Sequence, residues 1–203
     1  MTNYSELFDL AGRRVLVVGA GSGIGRESAL ALAAHGATVV CADRDGISAA
    51  ETADLIGAAG EPAVLDVLDP NAVQAAAERY ADCAALVFTA ATNVRKRMAD
   101  YTLEEFDRVM NLNLRASFTL LQAFAPRMAA NGGGSIIGFS SIRASVVEPG
   151  QSVYAASKAG LVQLARTAAA EFGPAGVRVN VIAPGVVETP LTAQIKDNPE
   201  WYG

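Results

Sequence analysis

The stretch Arg14-Val15-Leu16-Val17-Val18-Gly19-Ala20-Gly21-Ser22-Gly23-Ile24-Gly25 decides the fold. Its apolar opening predicts a strand over 14–18, and the Ala-rich run behind it predicts a helix over 23–35. Between them lies a glycine-rich turn. Glycine lets the backbone turn tightly and approach an anion closely, while a helix N-terminus offers unpaired N–H groups and a partial positive charge. Strand, glycine turn and helix in this order are the opening of a βαβ unit that holds a pyrophosphate, with Gly19, Ser22, Gly23, Ile24 and Gly25 around it.

Such a unit needs an acidic residue at the end of its second strand, and Asp43 stands eighteen positions beyond Gly25. A carboxylate there can accept both ribose hydroxyls and repels a 2′-phosphate, which favours NAD over NADP. Arg44, which follows, argues the other way, because a guanidinium can pair with a 2′-phosphate.

The alternation continues along the whole chain. Further strands are predicted over 38–42, 63–65, 84–88, 135–139 and 177–182, with helices over 47–59, 71–80, 103–130 and 152–172. Asp69-Pro70 is a helix start, and Thr102 with Glu105 forms a capping box. The strands are apolar runs without polar alternation, as burial on both faces requires. Alternating strand and helix gives right-handed crossovers and a parallel sheet covered on both faces, a doubly wound α/β fold. No repeat, linker or low-complexity tract divides the chain, so a single domain over 1–203 is expected.

Hydrophobic residues make up 51% and charged residues 18%, which suits a globular domain with a large core. A net charge of −5 with no Lys/Arg-rich stripe excludes a nucleic-acid binder. The run Arg95, Lys96, Arg97 reads as a solvated loop. The N-terminus lacks the pattern of a signal peptide, and no apolar run reaches the ~18 residues of a membrane span. Cys41 and Cys83 sit inside apolar segments and read as buried reduced thiols, which points to the cytoplasm. The one histidine, His35, cannot build a metal site alone, so no metal is expected.

Tyr154 and Lys158 lie four residues apart in Tyr-Ala-Ala-Ser-Lys, on one face of a predicted helix, with Ser141 thirteen residues upstream. An ammonium beside a phenol favours the phenolate and lowers the phenol's pKa from about 10. The pair can then exchange a proton with an alcohol or carbonyl oxygen near neutral pH.

Together these residues resemble the short-chain dehydrogenase/reductase family over essentially the whole chain. The resemblance implies a Rossmann fold with strand order 3-2-1-4-5-6 and hydride transfer between a nicotinamide cofactor and a carbinol or carbonyl carbon. Gly19, Gly23 and Gly25 match the family's Gly-x-x-x-Gly-x-Gly turn, and Asp66 with Val67 matches its adenine contact. Tyr154, Lys158 and Ser141 match its acid/base, its ribose-binding lysine and its substrate-positioning serine; the spacing selects Ser141 over Ser140. Asn113 rather than Asn111 matches the asparagine that holds a water beside the lysine. Pro184, Gly185, Val187 and Thr189 match the segment near the nicotinamide amide.

Several positions depart from the pattern. Val18 replaces the usual threonine before the first glycine. Phe88-Thr89-Ala90-Ala91 replaces Asn-Asn-Ala-Gly, with Ala90 still lining the cofactor and Thr89 able to supply part of the lost hydrogen bonding. The segment from Asp66 to Phe88 is short by about one helical turn. Family members continue into a substrate-covering lid and a seventh strand. This sequence reaches Trp201-Tyr202-Gly203 inside the expected lid, so the seventh strand is missing from it and strand six is expected at an edge.

Arg95 and Arg143 flank the expected pocket, and their surroundings look like those of gluconate 5-dehydrogenases and other sugar-acid or polyol dehydrogenases of the family. An arginine fork can hold a carboxylate. A small-molecule sugar acid or polyol is therefore the leading substrate class. The alternatives are a 3-oxoacyl-thioester reductase and, in another class, a non-catalytic dinucleotide-binding protein. Leu112, Leu114, Phe118, Leu121 and Phe124 make the long helix apolar on more than one side, which predicts a homodimer or homotetramer.

Overall fold

A computed structural model describes residues 7–193 of the 203-residue chain; the expected lid at Trp201-Tyr202-Gly203 lies outside the described residues. The elements are β1 (Arg14–Val18), α1 (Gly23–Ala34), β2 (Thr38–Asp43), α2 (Gly46–Ile56), β3 (Gly60–Val64), α3 (Pro70–Arg79), β4 (Ala85–Phe88), α4 (Leu103–Met110), α5 (Ala116–Ala130), β5 (Gly134–Phe139), α6 (Ser152–Phe172) and β6 (Val177–Ile182). The sheet order is β3-β2-β1-β4-β5-β6 and every pairing is parallel. This is the doubly wound Rossmann arrangement that the alternation predicts.

β1 shows why its sequence carries no polar alternation. Val15 and Val17 enter a core with Val39, Cys41, Ala29 and Ala53 on one face. Leu16 and Val18 enter the opposite core with Val40, Leu86, Leu120, Phe124 and Leu161. Phe124 is 1% exposed, and burying a side chain of that size contributes about 3 kcal/mol. Cys41 and Cys83 are buried free thiols. Burial, the largest cause for each, pushes them up to about 11 and about 12, so both hold their protons at neutral pH.

The helix starts follow the sequence. Asp45 and Asp69 accept from Ile47 N at 3.0 Å and Asn71 N at 2.8 Å, and Pro70 occupies the first turn of α3. Thr102 and Glu105 form the reciprocal box that opens α4. The expected helix over 103–130 is not uniform. Asn111–Arg115 forms a wide π-helical turn between α4 and α5, and Pro126 lies inside α5. β3 spans Gly60–Val64 rather than 63–65, because its backbone pairs with Val39–Asp43 of β2 from Gly60 onward. Within the described residues it is an edge strand, which is where Pro62 is tolerated. Among the described residues no helix is long and apolar enough to cross a membrane.

Candidate active site

β1 and β4 are neighbours, yet their following helices leave to opposite sides of the sheet. The crevice beyond the carboxyl ends of such strands is where doubly wound folds take ligands. Here it is a cleft of about 760 Å³. Gly19, Ser22, Gly23, Ile24 and Gly25 line it, as do Asp43, Arg44, Asp66 and Val67. Ala90, Ser141, Tyr154 and Lys158 line its other side, together with Pro184, Gly185, Val187 and Thr189.

The glycine turn is built by close contacts. Gly19 has φ +85°, and a Cβ there would sit 2.5 Å from Thr89 Oγ1. A Cβ on Gly25 would sit 1.9 Å from the Gly19 carbonyl oxygen, so α1 can pack this closely only on a glycine. Ser22 occupies the N-cap of α1 without a side-chain cap bond, so the first-turn N–H groups of that helix remain for a ligand. Gly21 N donates to Asp43 Oδ2 at 3.0 Å, and Arg26 donates to the Gly21 carbonyl at 2.6 Å. Thr89, standing where the resemblance places an asparagine, donates its hydroxyl toward the carbonyls of Val18 and Gly19 at 3.3 and 3.2 Å. It thereby ties the end of β4 to the turn, as expected of it. An unblocked helix N-terminus, a turn with no room for Cβ atoms and a carboxylate at the end of β2 together fit a dinucleotide.

On the opposite wall α6 carries Tyr154 and Lys158. Lys158 is 3% exposed, and its ammonium donates to the Phe139 carbonyl at 2.7 Å. Burial alone pulls its pKa down to about 8. The ammonium lies 5.7 Å from the Tyr154 ring centroid. Burial raises the Tyr154 pKa, and a hydrogen bond with the Ser141 hydroxyl only partly opposes it. The sequence-based expectation of a phenol lowered by its lysine is therefore not met. The ammonium is turned to the Phe139 carbonyl, and desolvation of the phenol prevails.

The two serines have different partners. Ser140 Oγ donates to the Lys158 carbonyl at 2.9 Å and joins β5 to α6. Ser141 Oγ accepts from Arg143 N at 3.1 Å, which leaves its own proton for another acceptor. Asn113 is fully buried in the π turn and does not line the cleft. Its amide donates to Thr92 O at 2.9 Å and Ser157 Oγ at 3.1 Å and accepts from Thr92 N at 2.8 Å. These bonds join the segment after β4 to α6 through the Asn113 amide.

Arg95 and Arg143 stand apart from the main cleft, on a second cavity of about 260 Å³ that also touches Ser141 and Tyr154. Both guanidinium groups are ion-paired to Glu148. Burial first, then the Arg143 charge, lowers the Arg95 pKa. Asn93 Nδ2 donates to Gln151 Oε1 at 2.9 Å on the same wall. Glu148 and Gln151 escaped the reading of the sequence; their only signal was a polar pair in the loop between Ser141 and Tyr154.

A crevice of this kind is common to the doubly wound α/β proteins that bind dinucleotides. Comparison with known proteins narrows the class. The short chain dehydrogenase family model matches residues 13–200. The (3R)-3-hydroxyacyl-CoA dehydrogenase of Mus musculus is 39% identical over 198 residues, covering 90% of this chain and 76% of its own. Galactitol 2-dehydrogenase (L-tagatose-forming) of Cereibacter sphaeroides is 38% identical over 210 residues, covering 98% of this chain and 81% of its own. A Beutenbergia cavernae crystal structure, provisionally assigned as an NAD(P)-dependent gluconate 5-dehydrogenase and holding NADP at low occupancy, has a TM-score of 0.88 at 35% identity. It covers 96% of this chain and 80% of that one. The chain belongs to the short-chain dehydrogenase/reductase family, and is an NAD(P)-dependent oxidoreductase acting on CH–OH groups.

Proposed function

We propose that the protein is an NAD-dependent dehydrogenase of a small sugar acid or polyol, with Tyr154 as its acid/base. The observation that carries this reading is that Tyr154 and the glycine turn line one cleft, with Ser141 bonded to the phenol. Bound there, the nicotinamide group supplies the hydride in reduction and takes it up in oxidation. Tyr154, with its raised pKa, holds its proton at neutral pH and gives it to a carbonyl oxygen during reduction. In the oxidative direction the phenol must first be deprotonated, so alkaline pH favours that direction. Ser141, whose hydroxyl bonds the phenol, orients the same substrate oxygen. Lys158 holds a positive charge beside the ring, which stabilises the phenolate as it forms, and reaches the nicotinamide ribose. Asn113 acts as a positioning residue by joining α6 to the segment after β4.

Asp43 supports NAD, since its carboxylate faces the cleft at the end of β2 and repels a 2′-phosphate; Arg44 beside it is exposed. Asp66, Val67 and Ala90 serve the adenosine side, and Pro184, Gly185, Val187 and Thr189 the nicotinamide side. The single continuous sheet supports one dinucleotide-binding and catalytic domain. The protonated buried thiols Cys41 and Cys83 fit the cytoplasm. Phe106 and Phe118 are 41% and 47% exposed on α4 and α5, which supports a homodimer or homotetramer that covers them. The mouse relative favours a second reading, 3-oxoacyl-thioester reduction. The modest volume of the cavity beside Tyr154, about 260 Å³, and the Asn93 and Gln151 amides on its wall favour the sugar acid or polyol.

Tyr154→Phe tests this function. The variant should bind NADH as wild type does in a fluorescence titration, while alcohol oxidation falls about a hundredfold to ten-thousandfold. Near wild-type turnover would remove Tyr154 from the chemistry.

A further inference from the structure

Two side chains that do not line the cleft take carbonyl oxygens of the glycine turn. Thr52 of α2 is fully buried, and its one hydroxyl proton lies between the carbonyls of Ala20 at 2.9 Å and Ser48 at 3.1 Å. Arg26 of α1 donates through one terminal nitrogen to the Gly21 carbonyl at 2.6 Å and to Glu51 Oε2 at 3.1 Å. Its Nε donates to Thr52 Oγ1 at 3.0 Å. A planar guanidinium with three partners is held in one orientation.

The peptides on either side of Gly21 are trans, and in a trans peptide the C=O and the N–H point in opposite directions. The Ala20–Gly21 peptide is fixed at both ends. Its oxygen goes to Thr52, and its N–H goes to Asp43 Oδ2 at 3.0 Å. The Gly21–Ser22 peptide is fixed at its oxygen alone. Arg26 draws that oxygen away from the cleft, so the Ser22 N–H faces into it. Ser22 lines the cleft, and its N–H has no acceptor among the described residues. The charged donor on the oxygen also polarises the peptide, which makes the N–H a stronger donor. Without Arg26 the peptide can rotate, since Gly21 has no Cβ to resist, and its oxygen would then face a phosphate and repel it.

Resting on the dinucleotide reading of the cleft, we propose that Arg26 is a positioning residue for the cofactor. From outside the cleft it aims the Ser22 N–H at the pyrophosphate.

The test uses the full chain and NADH. Arg26→Gln is the main variant. Its amide nitrogen falls where the arginine Nε stands, so it can keep the Thr52 bond while losing the Gly21 bond. Arg26→Met has no donor at all, and carries the comparison if circular dichroism shows Arg26→Gln unfolded. Calorimetric titration measures NADH affinity, and amide NMR spectra of isotope-labelled protein, free and saturated with NADH, follow the Ser22 N–H. In wild type the Ser22 amide proton should move downfield as it donates to the pyrophosphate. The variants should bind NADH about tenfold more weakly, as loss of one hydrogen bond to a charged acceptor implies, and should show no downfield shift of Ser22 at saturation. A Ser22 amide unmoved in NADH-bound wild type, variant affinities within about threefold of wild type, or a Ser22 shift that survives in a folded variant would each overturn the proposal. If wild type binds no NADH, the dinucleotide reading falls with it. Failure of the dehydrogenase reading alone looks different: the variants behave as expected, yet no alcohol or carbonyl exchanges hydride with the bound cofactor.

Discussion

Lys158→Met separates the cost of the buried ammonium from its use. Lys158 is 3% exposed, and burial lowers its pKa from 10.5 to about 8. At about 1.4 kcal/mol per unit, the folded state carries a penalty of about 3 kcal/mol for the charged form at neutral pH. Methionine fills similar space and removes that penalty. It also leaves the Phe139 carbonyl, now bonded at 2.7 Å, without its donor, which costs about 1–3 kcal/mol. The two effects nearly offset, so stability at pH 7 should change by no more than about 2 kcal/mol while turnover is lost.

The pH dependence is sharper. Below pH 8 the lysine is protonated in both states and the penalty is full. Between 8 and 10.5 the unfolded chain holds a proton that the folded chain has released, so wild-type stability rises with pH. Above that window both forms are neutral and the penalty is gone. The variant lacks this component. Urea unfolding of both proteins at pH 7, 9 and 10, without cofactor, should show wild type gaining about 2–3 kcal/mol on the variant. A wild-type-minus-variant difference that stays flat or falls with pH would refute a desolvated lysine.

Two other substitutions probe the nucleotide side. Gly25→Ala drives a Cβ to within 1.9 Å of the Gly19 carbonyl, so the turn must open; NADH affinity by fluorescence should fall at least about tenfold, and unchanged affinity would mean that the turn does not bind the pyrophosphate. Asp43→Ala should shift the NAD/NADP preference in kcat/KM toward NADP by about tenfold or more, and an unchanged ratio would count against its contact with the ribose.

β1 was legible because it is buried on both faces and runs into a glycine turn, and it matches its expected bounds for that reason. β6 and α6 match theirs as well, although Arg178, Asn180 and Ile182 leave one face of β6 exposed. β3 did not, because an edge strand pairs through its backbone and needs no apolar run; Gly60 and Pro62 pair with β2 despite their low strand preference. The π turn at Asn111–Arg115 was hidden because Asn-Leu-Asn-Leu fits an ordinary helix. It depends on where Thr92 and Ser157 stand, which is tertiary information. The cofactor residues were legible because close approach demands glycine at fixed spacing. The balance of charge was not. Glu148 is an isolated loop acid with no motif, and the Arg95 and Arg143 pairing depends on two loops meeting in space. Likewise the i,i+4 spacing of Tyr154 and Lys158 put them on one helix face but could not say that the ammonium turns to Phe139.

The central claim is that one cleft brings a hydride and the Tyr154 proton to a single C–O bond. Reduction of a polyhydroxylated ketone with NADH carrying deuterium at the transferable position of the nicotinamide, followed by mass spectrometry of the product, measures this directly. One deuterium on the new carbinol carbon, formed by wild type and not by Tyr154→Phe, is the expected result. A reduced product without deuterium at that carbon, or equal labelling by the phenylalanine variant, would contradict it.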